Sequence, residues 1–198
     1  MDYSFDQINT LSQLLQWVHN RFLQAELYYG HGTDNAWDEA VQLVLFVMGL
    51  PVDSDDSVST LSVSEEHKAK ARALLEARVA TRKPLAYLIH EAWFMGMRFH
   101  VDERVIVPRS PFAEWIDQKF QPWVDEMQVT HILDMCTGSG CMAIAAASVF
   151  PQANVDAVDI DNDALDVARL NIETYQLEAR VRALQSDGFN QLSHNRYD

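Results

Sequence analysis

Basic residues are scarce in this chain: 15 Lys and Arg stand against 29 Asp and Glu, a formal charge of -14. That balance argues against a protein that grips nucleic acid directly through its phosphates. It permits a basic protein partner, which it would attract at long range. Long apolar runs are lacking as well. The longest, Leu43 to Val52, is interrupted by Gly49 and Pro51, well short of the roughly 18 residues of a membrane span, so no membrane association is expected. The chain opens on Asp2 and Asp6 rather than on a basic and then apolar segment, and no secretory signal is read there. Cysteine is limited to Cys136 and Cys141. These have no C-x-x-C spacing and fit buried thiols in a reducing cytoplasm.

What is present suffices for one full domain and a smaller one: 198 residues, 48% of them apolar, so a folded protein is expected rather than disorder. Ile8, Leu11, Leu14, Leu15, Val18, Phe22 and Leu23 recur at three- and four-residue spacing. This stripe predicts an amphipathic helix from about Gln7 to Leu27, with Ser4 and Gln7 as a capping box. After Tyr29-Gly30-His31-Gly32, Thr33 or Asp34 is expected to cap a second helix that turns Trp37, Ala40, Val41, Val44, Leu45 and Met48 inward and ends at Gly49 and Pro51. A third helix is expected from about Glu65 to Ala80, started by Ser62 with Glu65. Residues 1–82 therefore read as a small all-α domain without catalytic spacing. His19, His31 and His67 stand alone and read as solvated or capping residues.

From Pro84 the period changes. Leu85 to His100, rich in aromatic and branched residues and interrupted by Gly96, reads as a β-hairpin or two short strands, continued by Arg104 to Val107. Residues 83–110 are thus expected to link the domains. Ser110-Pro111 then forms a helix start, and residues 111–198 form an α/β domain. Its strands are expected at Ile132-Leu133-Asp134, at Asn154 to Val158 and at Arg180 to Leu184, with a helix between the last two from Ala164 to Glu173, capped by Asp161 or Asn162. Strand, helix, strand, helix, strand opens a Rossmann-like, doubly wound parallel sheet, whose crevice lies at the strands' carboxyl ends.

The chemistry gathers at Leu133-Asp134-Met135-Cys136-Thr137-Gly138-Ser139-Gly140. A strand passes through a glycine turn into the helix formers Met142 to Ala147, and glycine allows positive φ and close approach of a ligand. Gly138, Gly140 and Ala143 also satisfy the relaxed dinucleotide fingerprint, with Asp159 about 20 residues on. Spacing alone leaves both cofactors open. Asp134 favours S-adenosylmethionine, a cationic and phosphate-free nucleoside, over a pyrophosphate that it would repel. Asp134, Asp159 and Asp187 are each placed at a strand tip. Asp159 is read as the acceptor for the ribose hydroxyls and Asp187 as the acceptor for the adenine amino group. Phe189 would pack on the ring, while Thr137, Gly138 and Gly140 would line the methionine part.

With Val107-Pro108-Arg109-Ser110-Pro111 upstream, this run resembles the bacterial protein-(glutamine-N5) methyltransferases. Tyr29-Gly30-His31-Gly32-Thr33-Asp34-Asn35 and Ala92-Trp93-Phe94 resemble their PrmB branch, which acts on the third protein of the large ribosomal subunit. The HemK or PrmC branch, which acts on release factors, has Pro-Asp where this chain has Ser110-Pro111. The resemblance implies a helical substrate-recognition domain, a hairpin linker and an S-adenosylmethionine-dependent methyltransferase domain. It also implies Asp134, Gly138, Asp159 and Asp187 as cofactor contacts, a basic ribosomal protein as substrate, and Arg109 in a linker motif near the substrate. The family's Asn-Pro-Pro-Tyr, which holds the target amide, does not occur among the 198 residues, so no catalytic residue is assigned here. A domain truncated after its third strand, with little activity, is the expectation. The alternatives are release-factor methylation, methylation of a small molecule or nucleic acid, an NAD-dependent oxidoreductase, and a non-catalytic module that binds a ribosomal protein.

Overall fold

The computed structural model describes residues 4–192 and 196–198. The chain divides into two units, Met1–Ile89 and His90–Asp198.

The first unit is helical. A 3-10 turn, Phe5–Gln7, precedes α1 (Leu11–Gln24), so the helix starts later than the apolar spacing predicts. Ser4 makes no side-chain cap. Gln13 does the capping instead, its Oε1 accepting from the backbone N–H of Asn9 at 2.8 Å and of Thr10 at 3.2 Å. Helix α2 (Ala36–Met48) is capped by Asn35 rather than Thr33 or Asp34: Asn35 Oδ1 accepts from Trp37 N at 2.9 Å and Asp38 N at 3.0 Å. It ends at Gly49, whose φ of 66° closes the last turn in the left-handed conformation. Helix α3 (Glu65–Thr81) starts at Ser64, not Ser62, and His67 is part of that cap: its N–H donates to Ser64 Oγ at 3.2 Å. A short α4 (Leu85–Ile89) follows where extended chain was expected. Pro84 presets φ for a first helical turn, and Leu85, Ala86 and Ile89 are buried by it. The core joins Leu14, Val18 and Phe22 of α1 to Leu43 and Val44 of α2 and Leu75 of α3.

Through this core runs an ion pair that no periodicity announced. Arg78, 2% exposed, donates Nε to Glu39 Oε1 at 2.6 Å, and its two Nη atoms reach Arg82 O at 3.1 Å and Tyr28 O at 3.0 Å. Thr33 Oγ1 adds a hydrogen bond to Glu39 Oε2 at 3.3 Å. Arg78 at Tyr28 and Glu39 at Thr33 therefore brace the turn between those two residues. Gly30 and Gly32, at φ 112° and 105°, occupy backbone space open only to glycine.

The second unit begins with the antiparallel hairpin of β1 (Ala92–Phe94) and β2 (Met97–Phe99). The hairpin expected as part of a linker is part of this unit's core: Phe94 and Phe99 are buried in one cluster with Ile144, Val155 and Ile172. No strand forms at 104–107. Helix α5 (Phe112–Asp117) starts at Ser110-Pro111, where Ser110 Oγ accepts from Phe112 N at 3.2 Å. Strands β3 (His131–Met135), β4 (Asn154–Asp159) and β5 (Val181–Gln185) form a parallel sheet in the order β3-β4-β5. Helix α6 (Cys141–Val149) joins the first two and α7 (Asn162–Thr174) the last two. Helix α6 is nearly all apolar, with Ala143, Ile144, Ala145 and Ala147 buried, because it is covered on most sides. Register pairs Asp134 with Ala157 and Asp159 with Gln185, which sets the strand tips side by side.

Candidate functional site

The turn between β3 and α6 hangs from the two neighbouring strands by its own polar groups. Thr137 N donates to Val158 O at 2.9 Å, and Gly138 N donates to Asp159 Oδ2 at 3.0 Å. Asp134 Oδ2 accepts from Thr137 Oγ1 at 2.6 Å and from Ala143 N, in the first turn of α6, at 3.1 Å. One carboxylate thus ties the strand, the turn and the helix start together. An anion at a helix N-terminus is favoured by the free amides and the helix dipole. Burial nevertheless pushes the Asp134 carboxyl above its ordinary range. The Thr137 and Ala143 hydrogen bonds oppose that rise, and the nearby charge of Asp159 adds to it.

Asp159 ends β4. Its Oδ1 accepts from Asp161 N at 3.1 Å, and its backbone oxygen accepts from Ser186 N at 2.9 Å, just beyond β5. Asp161, not Asp159, caps α7, its Oδ1 accepting from Asp163 N at 2.9 Å. Asp134 and Asp159 therefore stand close enough to feel each other's charge, and both touch the glycine turn. Asp187 follows Ser186 and is exposed, as is Phe189, with 68% of its surface open. Arg109 is exposed while Val107 and Pro108 beside it are buried.

The two glycines of the turn differ. Both have positive φ, 54° at Gly138 and 79° at Gly140. A Cβ at Gly138 would meet nothing within 4 Å, so that face is open to a ligand. At Gly140 a Cβ would come within 3.2 Å of Ala168 Cβ, so this glycine serves the approach of α7. Cys136, at φ 61°, is exposed beside the turn, while Cys141 is buried, which pushes its thiol up to about 11.

Sequence reasoning missed Asn171 of α7. Its Oδ1 accepts from His100 N at 2.8 Å, and its Nδ2 donates to His100 O at 3.0 Å and to Ser139 O at 2.9 Å. The one available signal was an amide on the inward stripe of a helix that otherwise buries Leu165, Val167, Ala168 and Ile172.

Parallel strands wound through helices, with acids and a glycine turn at their carboxyl ends, define a Rossmann-like methyltransferase fold. Residues 116–198 match the family model described as Methyltransferase small domain. The chain is 48% identical over 193 residues to the Ribosomal protein uL3 glutamine methyltransferase of Bordetella pertussis, covering 97% of this chain and 65% of that protein. It is 42% identical over 194 residues to the protein of the same name from Francisella tularensis, covering 98% of this chain and 62% of that one. The chain is thus similar along nearly its whole length to these glutamine methyltransferases and spans a little under two thirds of theirs. Likeness to solved structures is slight. Human methyltransferase 10 domain containing protein, for example, is 16% identical, with a TM-score of 0.42 over 52% of each chain.

Proposed function

We propose that this chain supplies the methyl-donor site of an S-adenosylmethionine-dependent methyltransferase that modifies a glutamine side-chain amide of ribosomal protein uL3. The observation that carries the reading is the pairing of Asp134 and Asp159 across one glycine turn, each holding a backbone amide of that turn or of the helix it enters. A cluster of anions around an open glycine repels a pyrophosphate and favours a sulfonium and an ammonium. The donor set fits such a nucleoside: carboxylate acceptors for its hydroxyls and amines, and at Gly138 an approach that a Cβ would narrow.

S-adenosylmethionine held by Asp134 and Asp159 at this turn would supply an electrophilic methyl group for the amide nitrogen. The chain's own residues bind and orient. Asp159, fixed by Gly138 N and Asp161 N, presents its remaining lone pairs to the ribose hydroxyls. Asp134 has its hydrogen bonds from Thr137 and Ala143 on Oδ2, and Oδ1 would accept from the donor's ammonium. Asp187 and Phe189 take the adenine edge and face. Thr137, Gly138 and Gly140 shape the turn under the methionine portion. Arg109, on an exposed segment anchored by Val107 and Pro108, is assigned to the substrate. The substrate, a basic ribosomal protein, suits a chain of formal charge -14. The reaction is placed in the cytoplasm.

Calorimetry with S-adenosylhomocysteine on the wild type and on Asp159→Ala tests the site. A loss of about tenfold or more in affinity is expected, because charge-assisted hydrogen bonds contribute about 1.5–3 kcal/mol. Unchanged affinity would remove the ribose role. Thermal stabilisation by NAD and not by S-adenosylmethionine would replace the donor assignment with a dinucleotide.

A further inference from the structure

Asn171 is 1% exposed and uses both ends of its carboxamide. It accepts from the backbone N–H of His100 and donates to the carbonyls of His100 and Ser139. One side chain therefore clasps the segment leaving the hairpin and the middle of the glycine turn at once. Ser139, itself 2% exposed, lies between two glycines of positive φ. Its peptide is held on both sides: Gly140 N donates to Thr137 O at 2.9 Å within the turn, and the Ser139 carbonyl accepts from Asn171 of α7.

We propose that Asn171 is a positioning residue for the methyl-donor site: by holding the Ser139 carbonyl it fixes the turn on which the methionine half of the donor rests. This deepens, and rests on, the reading of that turn as the donor site. The carboxamide is matched to its place. Accepting from one N–H while donating to two carbonyls needs an oxygen and a doubly protonated nitrogen on one short side chain. A carboxylate would set an acceptor against both carbonyls, and an apolar residue would leave three backbone groups without partners. The acids assigned to the nucleoside half stand on β4 and beyond β5, and Asn171 bonds to neither. Its effect should therefore fall on one half of the ligand.

That asymmetry is measurable. Asn171→Ala, Asn171→Asp and the milder Asn171→Ser, which keeps a short donor, are compared with wild type by calorimetry against two probes. S-adenosylhomocysteine carries the amino-acid portion, and 5′-methylthioadenosine lacks it. The expected result is a loss of about tenfold or more in affinity for S-adenosylhomocysteine in the Ala and Asp variants and a smaller loss in Ser, with 5′-methylthioadenosine changed by less than about twofold. Equal losses for both probes overturn the proposal, since a merely structural residue would weaken both. So does unchanged affinity for S-adenosylhomocysteine, or failure of all three variants to fold. A wild-type chain that binds neither probe removes the donor-site reading itself, before any variant is made.

Discussion

Ala168 of α7 stands where a side chain on Gly140 would have to go: a Cβ built on Gly140 falls 3.2 Å from Ala168 Cβ and 3.4 Å from its Cα. Gly138, two residues earlier, meets nothing within 4 Å. Two glycines in one turn therefore answer to different demands, one to helix packing and one to access.

Alanine substitution should separate them. Gly140→Ala combines a left-handed φ with a tight contact against the Ala168 methyl and is expected to lower stability by about 2–3 kcal/mol, whereas Gly138→Ala bears the φ cost of about 1–2 kcal/mol alone. Gly138→Ala should in turn weaken S-adenosylhomocysteine more than its stability loss accounts for. Urea titration and calorimetry on both variants check this. Equal destabilisation with no ligand effect would sink it.

The elements near this turn were legible because they obey local rules. Strand, glycine turn, alanine-rich helix and acid-tipped strand each occupy a few consecutive residues, and β3, β4 and β5 lie within a residue or two of the expected strands. The caps at Asn35 and Ser64 were displaced by a residue or two because several Ser, Thr, Asp and Asn candidates are adjacent there, and only the backbone chooses among them. Asn171 and His100 are 71 residues apart, and Arg78 and Glu39 are 39 apart. No pattern within a helical turn carries such pairings. Helix α4 was read as extended because Leu85 to Ile89 is too short for helical spacing to declare itself. Its packing against the first unit's core decides the matter.

Asp134→Asn is expected to stabilise the unliganded fold while weakening the donor. The carboxyl is raised by burial, so the folded state binds protons more readily than the unfolded one, and the ionised form opposes folding at neutral pH. Asparagine keeps an acceptor for Thr137 and Ala143 but carries no charge. The stability gain should thus be present at neutral pH and shrink as pH falls through the raised carboxyl range, where the wild type also becomes neutral. Affinity for S-adenosylhomocysteine should drop by about tenfold. Melting curves across pH, with calorimetry at neutral pH, decide the point. A variant less stable than wild type at neutral pH would contradict it.

Alkylation should distinguish the two thiols. Cys141 is buried and held protonated, its thiol pushed up to about 11, whereas Cys136 is exposed beside the glycine turn. The thiolate is the reacting form, so iodoacetamide at mild pH is expected to modify Cys136 alone, and S-adenosylhomocysteine should slow that reaction. Peptide mass spectrometry with and without the ligand reads both outcomes. Comparable labelling of Cys141 in the folded protein would show that its environment is open.

The pair formed by Arg78 and Glu39 makes the strongest stability prediction. Their side chains are 2% and 5% exposed, and Arg78 also satisfies Tyr28 O and Arg82 O. Arg78→Met alone leaves the Glu39 carboxylate buried without its counter-charge and should cost about 3–5 kcal/mol. Adding Glu39→Leu removes that charge, so the double variant should lose less than the sum of the single variants. Arg78→Lys should recover only part of the loss, because an ammonium cannot span the fork of acceptors that the guanidinium reaches. A urea-denaturation cycle over the four combinations measures the coupling. Single losses that simply add would mean that water, not the partner, offsets each charge, and that the brace between Tyr28 and Thr33 is not electrostatic.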